Sequence, residues 1–138
     1  MMEKKDMEEG ILPVKIDLAK TGLVSCFKPY KVLMLEHAWA NLTKEEPEGS
    51  GKLWLKVNEL LPEGETKSRA SVIFAANDFV DTSIWGFKDA TGKGGHHRLY
   101  YPLISKDKFW EKVAETVKQR INENAGGRLL ILLHPSER

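Results

Sequence analysis

The chain has 138 residues, 41% hydrophobic and 30% charged, with a formal net charge of +1. This is a globular composition able to bury one core, which excludes a disordered or collagen-like chain, and the near-neutral balance leaves a nucleic-acid surface to local clustering of cations. Cys26, the single cysteine, excludes an intrachain disulfide and suits a reducing cytosol, and no run approaches the roughly 20 apolar residues of a membrane span, so a cytoplasmic protein with no membrane partner is expected.

Met1 to Gly10 is charged and reads as a solvated tail. Ile11 to Leu18 alternates loosely and suits a short strand or irregular arm, with Pro13 favouring an edge. Pro29 stands where a first helical residue belongs, and the spacing of Val32, Leu33, Leu35, His37, Ala38 and Trp39 predicts a helix to Asn41. After the polar connector Lys44 to Gly51, Ser50 is a candidate cap for a helix to Leu61, with Leu53, Trp54, Val57, Leu60 and Leu61 facing inward. Thr66 or Ser68 caps a third helix ending near Asp81, its apolar positions including Val72, Ile73, Ala76, Phe79 and Val80.

The texture then changes. Trp85 to Asp89 and His97 to Leu103 are strand-like, and the glycine-rich run Ala90 to Gly95 between them predicts a β-hairpin. Ser105 caps a fourth helix from Lys106 to about Asn124, stopped by Gly126 and Gly127. The apolar run Arg128 to His134 fits either a buried strand or a continued helix. The expected class is mainly α with a small β-hairpin. Three short helices followed by a hairpin is the layout of a winged helix-turn-helix, here with an additional C-terminal helix. The expected division is an N-terminal arm (1–28), a winged-helix DNA-binding domain (29–104), and a C-terminal helix and tail (105–138) used for dimerisation.

In such a layout the start of the third helix lies nearest the DNA. Lys67, Ser68, Arg69 and Ser71 stand there; Arg69 suits guanine or phosphate, and the serines suit phosphate oxygens or capping. Asn77 is the polar side chain further along. The hairpin adds Lys88, Lys93, Gly94, His96, His97 and Arg98, so that Lys67, Arg69, Lys88, Lys93 and Arg98 form one candidate basic surface opposed only by Asp89. In the fourth helix Phe109, Trp110, Val113, Val117 and Ile121 follow helical spacing and suit a homodimer contact.

Other chemistries fit less well. His96 and His97 are strand neighbours aimed at opposite faces, so they cannot readily share an ion, and no metal or other cofactor is expected. Gly92-Lys93-Gly94 has the look of a phosphate loop, but Gly86 lies one residue too far upstream and Gly94 replaces the required Ser or Thr. No Gly-x-Ser-x-Gly elbow is present, Cys26 lacks a nucleophile signature, and an enzyme is not expected. A small-molecule effector pocket lined by Trp39, Trp54, Trp85 and Trp110 competes with plain core packing for the same side chains.

The stretch Ser68-Arg69-Ala70-Ser71-Val72, with Ala76, Phe79, Val80 and Ile84, resembles the recognition helix of winged-helix regulators of the penicillinase-repressor and multiple-antibiotic-resistance-regulator (MarR-like) types. Gly92 to Tyr100 resembles their wing, and the likeness runs from about Pro29 to Ile121. It implies a dimeric regulator of transcription that binds specific double-stranded DNA. Three positions depart from the pattern: Ile73 and Phe74 replace polar readers, and Ser83 stands where the family often has glycine. The first two also suit a rival role, a winged helix that docks a protein through an apolar patch.

Overall fold

The computed structural model describes residues 15–92 and 95–125. The expected strand or arm before residue 15, the tip residues Lys93 and Gly94, and the run 128–134 lie outside these residues. The chain divides into two compact units: Val14–Ser105, and a second one in which the C-terminal helix is the described element.

The described residues form a mixed α/β fold of four α-helices and a three-stranded antiparallel sheet. In the first unit a short 3₁₀ turn, Gly22–Ser25, precedes α1 (Pro29–Asn41). Then follow β1 (Glu48–Gly49), α2 (Ser50–Leu60), α3 (Arg69–Asp81), β2 (Trp85–Gly92) and β3 (Gly95–Pro102). The second unit holds α4 (Lys106–Ala125).

Local chemistry explains most boundaries. Pro29 opens α1, where its missing N–H costs no helical hydrogen bond. Ser68 caps α3, its Oγ accepting from the Ser71 N–H at 3.1 Å. At the other end of α3 the Ile84 N–H donates to the Phe79 carbonyl and the Ser83 N–H to the Val80 carbonyl, both at 3.0 Å. These two bonds form a Schellman turn, and they place Ser83 at φ 64°, in the left-handed region that glycine normally fills.

Two expectations shift here. Ser50 is the first residue of α2, and the cap position belongs to Gly49, which has no side chain to offer. The connector before α2 contains β1, which pairs antiparallel with β3 through Glu48↔Tyr100 and Gly49↔Leu99. Two residues carry no readable alternation, so the strand exists because β3 offers it an edge.

The core of the first unit gathers Met34, Leu35 and Ala38 from α1, Leu53 and Val57 from α2, and Val72, Ala75, Ala76 and Phe79 from α3. Ile84, Trp85 and Tyr100 close it from the hairpin. Each large side chain so buried contributes about 1.5–3 kcal/mol before entropy is counted. Leu60, expected inside, is 49% exposed, because it lies on the last turn of α2 beyond the reach of α3. The tryptophans Trp39 and Trp54 tie loops in place: the Trp39 Nε1–H donates to the Ile104 carbonyl and the Trp54 Nε1–H to the Lys67 carbonyl. Trp85 is fully buried against Phe79, with ring centroids 4.8 Å apart.

Candidate nucleic-acid interface

The start of α3 is held from two sides. The Lys67 carbonyl accepts from Trp54 Nε1 and from Asn58 Nδ2, each at 2.9 Å, while the Lys67 N–H donates to Asn58 Oδ1 at 2.8 Å. α2 therefore fixes the point at which α3 begins. Trp54 and Asn58 were not legible as positioning residues, since Trp54 sits on an apolar face and Asn58 looks like a solvated side chain.

Lys67, Ser68 and Arg69 are exposed and Ser71 is half-buried. The Lys67 ammonium lies 5.3 Å from the Tyr30 ring centroid, a cation–π distance. Burial, with the Asp78 carboxylate adding to it, raises the Tyr30 phenol above its ordinary pKa of 10.0. The Arg69 guanidinium lies along Gly51 of α2; a Cβ there would stand 3.4 Å from its Nη2. Among the described residues no carboxylate pairs with Arg69 or Lys88. Ser68 and Ser71 bond each other, Oγ to Oγ at 3.0 Å.

The hairpin is longer than expected. Its strands pair down to Gly92↔Gly95, and Gly95 takes φ 96° at the turn. Directly paired residues share a face, and faces alternate along each strand. Trp85, Phe87, Asp89 and Thr91 therefore share one face with Pro102, Tyr100, Arg98 and His96. Lys88 and Ala90 share the other with Leu99 and His97.

The expected single basic surface is thus divided. Lys88 and Arg98 project from opposite faces of the hairpin because their positions differ by one step in register, and His96 and His97 separate in the same way. Arg98 is half-buried and engaged: its Cζ sits 4.0 Å from the Phe87 ring centroid, and its Nη1–H donates to Asn77 Oδ1 at 3.2 Å. The Tyr100 hydroxyl donates to the same oxygen at 2.7 Å. Asn77 and Arg98, both expected to face DNA, instead tie α3 to the hairpin. Burial raises the Tyr100 phenol above its ordinary 10.0, although nearby Arg98 pulls it down. Comparison with known proteins finds no family model, no curated protein and no solved structure that matches the chain.

The outward side of α3 carries Arg69, Ala70, Phe74, Asp78 and Asp81, all exposed, with Phe74 at 69%. Asp78 pairs with Lys31 of α1 at 3.8 Å. Cationic character is therefore concentrated before and within the first turn of α3, and acidic character in its last turn. The positive end of the helix dipole adds to the cations of the first turn.

On α4, Phe109 is fully buried and Val113 is 7% exposed, so this part of the stripe is already covered within one chain. Trp110, Val117 and Ile121 are half-buried. Among the described residues there is no group of three or more His, Cys, Asp or Glu placed to hold a metal, and no helix is long and apolar enough to cross a membrane.

Proposed function

We propose that the first unit is a winged helix that binds double-stranded DNA, with α3 as the helix that enters the major groove and the β2–β3 hairpin as the wing, and that the protein regulates transcription as a homodimer. The observation that carries this reading is the bonding of Asn77 to Arg98 and Tyr100, which joins helix and hairpin into one rigid unit. A probe made of one helix and one β-ribbon needs such a joint, because duplex DNA fixes the distance between groove and backbone. The element order supports it as well: a helix, a short strand closing the base of the hairpin, two further helices and then the hairpin.

The contacts divide by chemistry. Arg69 and the capped start of α3 face the groove, while Lys67 and Lys88 suit phosphates. Lys93 and Gly94, at the tip, belong to the same proposed surface, as do His96 and His97. The half-buried residues Trp110, Val117 and Ile121 of α4 are the part of the dimer stripe that a second copy would cover.

Fluorescence anisotropy with a random 20-base-pair duplex at two salt concentrations tests the reading. Binding should weaken steeply with salt, and Arg69→Ala with Lys88→Ala should lower the log–log slope by roughly one to two units, one per phosphate released. Binding independent of salt, or none below millimolar, would refute it. A second reading, a protein-docking winged helix, is favoured by one observation, the exposed ring of Phe74.

A further inference from the structure

Phe74 is an aromatic ring 69% exposed in the middle of the α3 outer face. Ala70, four residues earlier and also exposed, lies above it on the same stripe, and Ile73 beside it is half-buried. Arg69 and Lys67 lie on the N-terminal side of this apolar spot, Asp78 and Asp81 on the C-terminal side. That charge order sets how a polyanion can approach. The cationic start of α3 comes close to phosphates, and the acidic last turn stays away from them. Ala70 and Phe74 are then the side chains of α3 that reach the floor of the groove.

A phenyl ring there has few options. The base edges of the major groove offer hydrogen-bond donors and acceptors, which a phenyl ring desolvates without satisfying. The one apolar group they offer is the 5-methyl of thymine. Resting on the DNA-binding reading above, we infer that Phe74, with Ala70, reads thymine methyl groups and makes the protein select sites with thymine at a fixed position in each half. The same ring disfavours G·C at that position, because a cytosine amino group or guanine oxygen buried beneath it loses its water. The Ile73–Phe74 departure from polar residues then signifies a change of base preference within one binding mode.

The test begins with selection of bound sites from a random duplex pool, using the full chain. One position per half-site should be enriched in thymine. Replacing that thymine by deoxyuridine removes the methyl group alone, and should weaken binding about three- to fivefold per half-site, the transfer value of one methyl. For Phe74→Ala the deoxyuridine substitution should have no further effect, whereas Phe74→Leu should retain a penalty. Melting curves check that both variants fold. Equal affinity of the wild type for thymine and deoxyuridine at every position would overturn the inference, as would an undiminished penalty in Phe74→Ala. Those results leave DNA binding itself intact. Failure of the wild type to bind any duplex would instead refute the DNA-binding reading, and this inference with it.

Discussion

Asn77→Ala separates two roles for one side chain. In the structure Asn77 Oδ1 accepts two hydrogen bonds from β3, from Arg98 Nη1 at 3.2 Å and from the Tyr100 hydroxyl at 2.7 Å. Tyr100 is 3% exposed, so losing its acceptor strands a hydroxyl away from water, which costs about 1–3 kcal/mol. Arg98 loses less, because its guanidinium keeps the Phe87 ring and some solvent. A total near 2 kcal/mol lowers the melting temperature by roughly 5–10 °C for a protein of this size. Because the lost bonds join α3 to the hairpin, DNA affinity should fall for all sequences alike, with base preference unchanged. Calorimetry and anisotropy on the same preparation measure both effects. An unchanged melting temperature together with relaxed preference at one base position would show that Asn77 reads DNA, and would refute the joint.

Ser83→Gly should stabilise the protein by about 0.5–1 kcal/mol in thermal unfolding, since a left-handed residue costs roughly 1–2 kcal/mol and glycine returns part of that as unfolded-chain entropy; Ser83→Val should destabilise it. Gly86→Ala should cost about 1–3 kcal/mol, because the new methyl would stand 2.9 Å from Leu103 Cδ2 and 3.0 Å from Tyr101 Cζ. Tyr30 and Tyr100 are both held protonated beyond their ordinary 10.0, so their contribution is complete below pH 10 and is lost as pH rises through the raised values; urea midpoints should be flat on that account up to pH 10 and fall above it. Val117→Glu with Ile121→Glu should convert a dimer to a folded monomer in light scattering, and a wild type that is monomeric at micromolar concentration would remove the dimer from the account.

The sequence made the helices legible because each has a local signal: Pro29 at the start of α1, the Ser68 cap of α3, and spaced apolar residues throughout. The hairpin was legible from its glycines, but its length was not, since strand pairing continues through Gly92 and Gly95, residues that read as loop. β1 was illegible for a stronger reason, because a two-residue strand is defined by its partner. The candidate site was read by residue type, and types do not reveal faces. Lys88 and Arg98 look alike in a sequence and separate only once the pairing Asp89↔Arg98 is known. Asn77 looked like a reader because its partners Arg98 and Tyr100 lie more than twenty residues away. Only Phe74 announced itself in the sequence, as an apolar residue at a position that the resembling family keeps polar.

The central claim is that α3 and the hairpin together form a face for duplex DNA. Amide chemical shifts of the ¹⁵N-labelled protein, followed as a short duplex is added, test it most directly. The account predicts that the largest changes fall on Lys67 to Phe74 and on Lys88 to Arg98, with Glu36 to Asn41 of α1 unmoved. Changes centred on the exposed Leu55 side of α2, or no change at equimolar DNA, would contradict it.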